Sequence, residues 1–289
     1  MKGNALDRET PLRKLQLTEF DILKTVLAFC NKNNISWFLD SGTVLGAARH
    51  GGFIPWDDDI DIGMLRPDYD RFVELAEYGL PEGYSVHTYS NTHGFAGMFA
   101  KVYRDGTRFE TQETREAGCP QGIFIDVFPY DALSDNSIEE RKQRRSAKFW
   151  QSISYLWHSS TIVVPHRGLL GIIERYGCRI AHFVVRCAFS RERIEERFNC
   201  SFLKDSRYLP STRVLPFVWP NIDGYRIDEL MPTATLVFEG TSFPVPAKWE
   251  LYLERMYGDW RALPKPEDRR THLPLRLVFE DGEVWTAEK

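Results

Sequence analysis

Hydrophobic and polar residues repeat with two different periods along the first ~130 residues. Apolar residues spaced as on one helix face alternate with segments in which every second residue is apolar, as in a half-buried strand. Helices are predicted over 18–31, over 43–49 and from Pro67, and strands over 35–39, 59–64, 84–89 and 123–128. Residues 98–104 and 107–111, joined by Asp105-Gly106, predict a hairpin with a two-residue turn. This order indicates an α/β or α+β domain, with a mixed sheet flanked by helices.

The pattern becomes mainly helical from Ser137 and returns to short strands in the last third. Helical runs are predicted over 139–157, 168–189 and 191–204, then a hairpin over 234–245, a helix over 246–258 and a terminal hairpin over 275–285. We therefore divide the chain into a partly disordered N-terminal extension at 1–17, one domain at 18–272 and a hairpin extension at 273–289. Within that domain we expect a core at 18–136, a helical segment at 137–207 and a C-terminal part at 208–272.

Charge and cysteine content narrow the classes of function. The formal net charge of −4 and the pI near 6.0 argue against a nucleic-acid-binding protein, which would carry a basic surface. The five cysteines (Cys30, Cys119, Cys178, Cys187 and Cys200) show neither zinc-site spacing nor close pairs, which suits free thiols in a reducing compartment. The N-terminus lacks the apolar core of a signal peptide, and no apolar run approaches the ~20 residues of a spanning helix. We expect a cytoplasmic protein.

The strand over 59–64 carries the first candidate chemistry. Asp59 and Asp61 fall on one face of an extended chain, and Ile60 and Ile62 fall on the other. Two carboxylates at this spacing repel each other unless a cation lies between them, and Mg²⁺ or Mn²⁺ prefers oxygen ligands. The preceding residues, Asp57 and Asp58, are predicted either to contact the metal through water or to be solvated.

An EF-hand-type calcium loop is the sharper alternative for the same acidic run. Asp57, Asp59 and Asp61 have the opening spacing of such a loop. However, the sixth position should be glycine and is Ile62, and the twelfth should be glutamate and is Asp68. The pattern therefore favours a metal-dependent phosphoryl-transfer site.

A turn of small residues precedes the acidic strand. Ser41-Gly42-Thr43 interrupts the apolar strand and begins a helix that ends before Gly51-Gly52. The free backbone N–H groups at a helix start suit an anionic phosphate. We therefore expect the amides of Gly42 and Thr43, with the hydroxyl of Ser41 or Thr43, to bind phosphate oxygens.

Asp126 is the third candidate carboxylate. In the strand over 123–128 it shares a face with Phe124 and Phe128. A buried carboxylate is costly unless it is paired or metal-bound. We expect Asp126 to act as a metal ligand or general base, while a core aspartate bonded to backbone or arginine is the alternative.

Three motifs together resemble those of the LicD family. The run Ser-Gly-Thr-Val-Leu-Gly-Ala-Ala-Arg-His-Gly-Gly-Phe-Ile-Pro-Trp-Asp-Asp-Asp-Ile-Asp-Ile-Gly at 41–63 looks like the signature of that family. Gly-Ile-Phe-Ile-Asp-Val-Phe-Pro at 122–129 resembles its later carboxylate strand. Tyr-Gly-Asp-Trp at 257–260, followed by Arg270 and His272, resembles its closing motif. The family includes bacterial phosphocholine transferases, is related to fukutin-type sugar-phosphate transferases, and has a nucleotidyltransferase-like fold.

This resemblance implies a reaction and a set of site residues. A phosphorylated group, phosphocholine from CDP-choline in the LicD case, would pass to a hydroxyl of a cell-surface glycan, teichoic acid or lipopolysaccharide precursor. Asp59, Asp61 and Asp126 would bind Mg²⁺ or Mn²⁺, and Arg49 and His50 would offset charge on the leaving CMP. Trp56 would contact the quaternary ammonium group of the donor.

Other interpretations stay open at this point. A nucleotidyltransferase acting on a small molecule or protein shares the turn and the carboxylates, and a non-catalytic glycan-binding protein shares the fold. Phosphoethanolamine, glycerol phosphate, ribitol phosphate or a sugar phosphate would suit the same centre as phosphocholine. The basic and aromatic segment over 139–190 is either a helical layer packed on the sheet or a surface that touches the inner face of the membrane. His158 and His166 in this segment are expected to be structural.

Overall fold

The structure, a computed structural model, describes residues 10–160, 169–203, 211–269, 271 and 273–287. Helices α1 to α9 are Pro11–Asn33, Ser41–His50, Arg66–Gly79, Gln112–Ala117, Ser137–His158, Leu169–Ala188, Arg191–Asn199, Ile227–Leu230 and Trp249–Tyr257. Strands β1 to β12 are Phe38–Leu39, Asp61–Leu65, Tyr84–His87, Ala100–Arg104, Arg108–Glu110, Ile123–Leu133, Arg213–Leu215, Tyr225–Arg226, Ala234–Phe238, Thr241–Val245, Arg276–Val278 and Val284–Thr286.

A mixed sheet forms the centre of the fold. Its strand order is β1-β2-β6-β4-β3, and β7 and β8 extend it beside the far end of β6. Strands β2 and β6 are parallel, whereas the other neighbours are antiparallel. Helices α1 and α3 lie against this sheet, and α5, α6 and α7 pack on one another. The α/β (α+β) class, with a mixed sheet, flanking helices and a mainly helical segment, is thereby confirmed.

The alternation of side chains gives the sheet one apolar face and one chemical face. Ile62 and Met64 of β2 and Ile125 and Val127 of β6 are fully buried on one side. On the other side the register places Asp61 of β2 opposite Asp126 of β6. Because successive residues of a strand point to opposite faces, the apolar residues secure the register that brings these two carboxylates together.

The first helix begins earlier than its apolar pattern predicts. It starts at Pro11 rather than Thr18, because the Thr10 side chain accepts a hydrogen bond from the Arg13 amide and Pro11 suits the first helical position. Leu15 is completely buried, so the first turns already contribute to the core. Residues 11–17 therefore belong to the helix and not to a disordered extension.

The hairpin predicted across Asp105-Gly106 does not form. Strand β4 pairs with β3 on one side and β6 on the other, so neither edge is left for β5. Instead, β5 pairs with β11, and β11 pairs with β12. The terminal hairpin is thus present as predicted and is hydrogen-bonded to the segment that follows β4.

The remaining boundaries differ by a few residues. The predicted strand over 35–39 is reduced to Phe38–Leu39, and Asp59 lies just before β2 rather than within it. The helix predicted from Pro246 begins at Trp249 and ends at Gly258 as expected. Across the described ranges no helix is both long enough and apolar enough to cross a membrane.

His158, at the end of α5, is buried and neutral. Its Nδ1 lies 2.8 Å from the Ser154 carbonyl oxygen, which can only accept, so Nδ1 carries the proton. Burial, with the nearby charges of Arg191 and Arg186 and the neighbouring His93, lowers the pKa of His158 to about 4. His166, the other histidine expected to be structural, lies outside the described residues.

The depressed pKa of His158 predicts a loss of stability in acid. The unfolded chain takes up a proton at the ordinary histidine pKa near 6.5, whereas the folded chain resists protonation until about pH 4. Stability is therefore present above pH 6.5 and falls as the pH drops towards 4, by about 2 kcal/mol at pH 4.5 on this account. We therefore expect the free energy of unfolding in urea to fall between pH 7 and pH 4.5 by about 2 kcal/mol less in His158→Gln than in wild type. An equal difference in wild type and variant would contradict the prediction.

Candidate active site

Three charged residues form a row across the chemical face of the sheet. Asp61 on β2 lies opposite Asp126 on β6, and Asp126 lies opposite Lys101 on β4. The Lys101 Nζ atom is 2.9 Å from Asp126 Oδ1 and 3.1 Å from the centre of the Phe124 ring. Its approach to Oδ1 is an ion pair that is not aligned as a hydrogen bond. The row ends in a buried cation beside two carboxylates.

The loop before β2 brings further carboxylates to the same place. A Cβ atom added to Gly42 would lie 3.1 Å from Asp57 Oδ2, so the Asp57 carboxylate rests against the first turn of α2. Burial, with the charges of Asp59 and Asp58, raises the pKa of Asp57. Asp58 is itself buried. The absence of a side chain at Gly42 therefore allows the acidic loop and the helix start to meet.

The negative charges of neighbouring carboxylates help to raise the pKa values of Asp61 and Asp126. Burial, with the charges of Asp59 and Asp126, raises the pKa of Asp61. Burial also raises the pKa of Asp126, although the Lys101 ammonium opposes the shift. Negative charge is thus concentrated here beyond what Lys101 offsets.

Glu19 is a further carboxylate of this region. It is completely buried on α1, and neither of its carboxylate oxygens has a hydrogen-bond partner among the described residues. Burial, with the charges of Asp59 and Asp58 first among its neighbours, raises its pKa. Gln16, one turn earlier on the same helix, donates to the Asp57 carbonyl oxygen at 2.8 Å. The buried side of α1 therefore faces the acidic loop.

The donor chemistry fits a hard divalent cation. The oxygens are carboxylate oxygens, and two buried positions, Glu19 and Asp126 Oδ1, lack hydrogen-bond partners within the described structure. In the part of the chain that is described, no three His, Cys, Asp or Glu side chains are already arranged as a closed metal-ligand group. The residues thus offer suitable ligands whose side chains are not gathered around one point.

Asp40 fixes the start of α2. Its carboxylate, completely withdrawn from solvent, accepts hydrogen bonds from the Ser41 amide at 2.7 Å, from Tyr130 Oη at 2.9 Å and from Tyr252 Oη. Its own amide donates to the Asp61 carbonyl oxygen at 2.9 Å. Tyr130 comes from β6 and Tyr252 from α9, so one side chain joins the catalytic turn to the sheet and to the C-terminal part.

Gly63 allows Tyr130 to reach Asp40. A Cβ atom at position 63 would lie 2.5 Å from the Phe38 ring and 2.8 Å from the Tyr130 ring, closer than packed atoms approach. The two rings meet edge to face over this glycine, with centroids 5.1 Å apart. The glycine in β2 is therefore needed for close packing above it.

The turn residues Ser41, Gly42 and Thr43 form the first turn of α2. The Thr43 hydroxyl accepts from the Asp61 amide at 2.9 Å, and the Thr43 amide donates to the Asp40 carbonyl oxygen at 3.0 Å. Ser41 has a φ of +46°, in the left-handed region that non-glycine residues seldom adopt. Such strained residues concentrate at functional sites. Thr43 positions Asp61, and Ser41 lies beside it in a conformation that the Asp40 hydrogen bonds maintain.

Arg49, His50 and Trp56 lie on the side of the site that faces the C-terminal part. The Arg49 guanidinium donates to the carbonyl oxygens of Trp260 and Ala262, at 3.0 and 3.2 Å. Trp56 meets the exposed His50 ring edge to face, and the Arg269 guanidinium lies 4.8 Å from the centre of its ring. The Trp56 ring expected to contact a quaternary ammonium group thus already has a cation nearby.

The closing motif approaches the acidic residues. The charges of Asp61, Asp40 and Asp57 add to the effect of burial in raising the pKa of Tyr257. Together with the Arg49 contacts, this places 257–260 beside the site. Arg270 and His272 lie outside the described residues.

Three residues of the site were missed by sequence reasoning, although each left a signal. Asp40 directly precedes a helix, where aspartate is a favoured capping residue. Glu19 falls within the apolar stripe of α1, between Leu15 and Ile22, and a charged residue on such a face calls for a partner. Lys101 of β4 is two residues from Tyr103 on the same strand and two residues from Phe99, which directly precedes the strand. This spacing places Lys101 on the aromatic face of the strand.

Comparison with known proteins agrees with this geometry. Residues 34–165 match the family model described as LicD/FKTN/FKRP, nucleotidyltransferase domain. These residues include β1, α2, β2 and β6, the elements that carry the turn and the carboxylates.

Curated relatives extend the match over nearly the whole chain. The chain is 28% identical over 278 residues to the lipopolysaccharide cholinephosphotransferase LicD of Haemophilus influenzae, covering 92% of this chain and 97% of that protein. It is 38% identical over 72 residues to the human ribitol 5-phosphate transferase FKRP, covering 24% of this chain and 14% of that protein. An uncharacterised Rickettsia typhi protein is 38% identical over 73 residues, covering 25% of this chain and 24% of that protein. With its signature turn, its paired carboxylate strands and these matches, residues 34–165 form a domain of the LicD type, in a chain that is similar to the Haemophilus influenzae protein over nearly its whole length.

Proposed function

We propose that this protein is a phosphotransferase of the LicD type that moves phosphocholine from CDP-choline to a hydroxyl group of a cell-surface glycan precursor. The observation that carries the proposal is the register of β2 and β6, which sets Asp61 opposite Asp126 next to the phosphate-binding turn. The full-length relative is named as a lipopolysaccharide cholinephosphotransferase, which supports phosphocholine and a lipopolysaccharide-type acceptor. A teichoic acid precursor is the other acceptor of the same chemical class.

We assign a separate role to each group of residues in the site. Asp59 and Asp61 would hold Mg²⁺ or Mn²⁺, with Asp57 and Asp58 in the loop beside them, while Asp126 is assigned to proton transfer. When bound, the cation neutralises the phosphate oxygens of the donor and polarises the phosphorus under attack. The Gly42 amide and the Ser41 hydroxyl orient the diphosphate. The Ser41 and Thr43 amides, the second of which the sequence predicts to bind phosphate, already donate to Asp40. The chain's own contribution is to hold donor and acceptor in line with a fixed set of charges.

Asp126 is the proposed base for the acceptor hydroxyl. Its pKa is raised to about 6, so the carboxylate is ionised at neutral pH and still basic enough to accept a proton. As the acceptor oxygen forms its bond to phosphorus, its proton passes to Asp126, the bond from phosphorus to the CMP oxygen breaks, and CMP leaves with the electron pair. We assign Arg49 and His50 to the departing nucleotide, whose negative charge they would offset.

Donor binding tests the proposal directly. Calorimetry and thermal shift with CDP-choline, CDP-ethanolamine, CDP-glycerol and CDP-ribitol, each with and without Mg²⁺, should show metal-dependent binding of CDP-choline. The same binding should be lost in Asp59→Ala and Asp61→Ala. If another CDP-linked donor binds instead, the transferred group is wrong, and if only a nucleoside triphosphate binds, the protein is a nucleotidyltransferase.

Product analysis separates these two reactions. The proposed transfer releases CMP and leaves a phosphocholine-bearing acceptor. Nucleotidyl transfer releases pyrophosphate and leaves a nucleotidylated acceptor. The absence of both products with a competent acceptor would favour a glycan-binding protein on this fold.

The helical segment is the proposed contact with the inner face of a membrane. Helix α6 exposes four apolar side chains at helical spacing, Tyr176, Ile180, Phe183 and Val184. Such a face on a basic segment suits the interface of a bilayer that carries a lipid-linked acceptor. Phe183→Ser should weaken co-sedimentation with anionic vesicles several-fold, and Ile138→Ser, on the exposed start of α5, is the matched control. Equal binding of both variants and wild type would show that the exposed face of α6 is not the contact, and no binding of wild type would place the protein away from the membrane.

A further inference from the structure

A cavity of about 490 Å³ opens beside the charged row. Lys101 and Phe124 belong to its wall, and both flank Asp126, one on the neighbouring strand and one two residues earlier on β6. Tyr155 of α5 lines it as well, close enough to Asp126 for that charge to help raise the pKa of the phenol. The cavity therefore adjoins the carboxylate that we assign to proton transfer.

Aromatic rings dominate the wall of this cavity. The rings are Phe95, Phe99, Phe109, Phe124 and Tyr155. Two pairs stand edge to face, Phe95 with Phe99 at 5.7 Å and Phe109 with Phe124 at 5.0 Å. Several aromatic rings around one space can attract a cation that has no hydrogen-bond donors, because the face of a ring is negative.

The charged and polar groups of the wall also favour a bound cation. Glu113 of α4 supplies a carboxylate at the exposed side. His158 lines the cavity in its neutral form, and its buried Nε2 has no partner among the described residues, so the ring offers an acceptor and no positive charge. Lys101, the cation among the lining residues, is already engaged by Asp126 and the Phe124 ring. The end towards Asp126 thus adjoins the carboxylate row, and the end towards Glu113 suits a cation.

We propose that this cavity, and not the Trp56 ring, receives the trimethylammonium group of the donor. The assignment rests on the proposed function, because it presumes a choline-bearing donor at the carboxylate row. It adds the location of head-group selection, with Tyr155 as the residue that distinguishes choline from ethanolamine and Glu113 as a counter-charge for either cation. A primary ammonium group needs a hydrogen-bond acceptor for each of its protons, which aromatic rings do not supply, whereas a quaternary group needs none and is attracted by a ring.

Variants at the open side of the cavity test the assignment with little risk to folding. Tyr155 has 42% of its surface exposed, and Glu113 is exposed. Tyr155→Leu should lower kcat/KM for CDP-choline by about tenfold, mainly through KM, and leave CDP-ethanolamine nearly unchanged. Tyr155→Phe keeps the ring and should retain the preference, and Glu113→Gln should weaken the binding of both donors several-fold without reversing the preference. Tyr78→Leu, at a tyrosine that is 89% exposed on α3, is the matched control.

Direct binding of tetramethylammonium and phosphocholine separates this proposal from the proposed function. Wild type should bind both, and Tyr155→Leu should bind both about tenfold more weakly, whether or not any transfer is detected. Unaltered binding in Tyr155→Leu, or equal losses for choline and ethanolamine donors, would overturn the cavity assignment and leave the transfer reaction standing. Binding of phosphatidylcholine vesicles in place of CDP-choline would assign the cavity to a lipid head group and overturn the donor assignment. A change in KM for the glycan acceptor alone would assign the cavity to the acceptor.

Discussion

Asp61→Asn is expected to lower the rate of phosphocholine transfer by at least about a thousandfold while making the metal-free protein more stable. The loss of rate follows from removing a carboxylate that we propose to bind the cation, an interaction worth several kcal/mol in the transition state. The gain in stability follows from the raised pKa of Asp61, because in the folded protein its charge lies close to Asp59 and Asp126. Without metal at pH 7.5, we expect the Tm of the variant to rise by about 3 °C.

Added Mg²⁺ should reverse the difference in Tm, so that wild type melts above Asp61→Asn. The cation binds the folded wild type and raises its Tm in proportion to its occupancy, whereas Asp61→Asn should respond weakly. Asp135→Asn, at an exposed aspartate in the loop after β6, should behave like wild type in both respects. A metal-free Asp61→Asn variant that melts below wild type would show that the carboxylates are not a source of strain, and normal activity would remove Asp61 from the mechanism.

Asp40→Ala is expected to cost about 4 kcal/mol of unfolding free energy. The substitution removes the cap of α2, worth about 1 kcal/mol, and leaves the buried hydroxyls of Tyr130 and Tyr252 without their acceptor at about 1–3 kcal/mol each. Urea unfolding followed by fluorescence measures the loss. Transfer activity should fall as well, because the Asp40 carboxylate also holds the Ser41 amide at the start of α2.

A double-mutant cycle separates the buried hydrogen bonds from general damage to the core. Tyr252→Phe alone should cost about 1–2 kcal/mol, and its effect should shrink in the Asp40→Ala background, where the hydroxyl has already lost its acceptor. Tyr225→Phe removes a hydroxyl from the ring stacked on Tyr252 and serves as the control. Fully additive losses for Asp40 and Tyr252 would contradict the coupling that the geometry implies.

Patterns within short stretches of sequence were enough to predict much of the fold and the strand positions of Asp61 and Asp126. Helix α2 ends at Gly51 as its glycines indicate, and the alternation around Asp61 and Asp126 placed both on strands before their pairing was known. These features depend on neighbouring residues, so a local pattern contains them. The roles of Asp59, Asp61 and Asp126 in catalysis stay predictions until the variants are measured.

Contacts between distant segments account for what the sequence did not reveal. The partner of β5 is β11, more than 160 residues later, and the acceptor for Tyr252 is Asp40, 212 residues earlier. No periodicity encodes such pairings. The aromatic cavity has the same origin, since Phe95, Phe109, Phe124 and Tyr155 come from four separate stretches that only the folded sheet and α5 bring together.

The hydrogen bond between Tyr252 and Asp40 also bears on the order in which the molecule is made. During synthesis the acidic strand and its partner β6 emerge early, and domains fold as their segments become available. The Ser41-Gly42-Thr43 turn lacks its α9 contact until residue 252 has left the ribosome, and closing so long a loop is slow. A nascent or truncated chain therefore has Asp61 and Asp126 before the turn gains this contact, so we expect the turn to reach its final conformation late in translation.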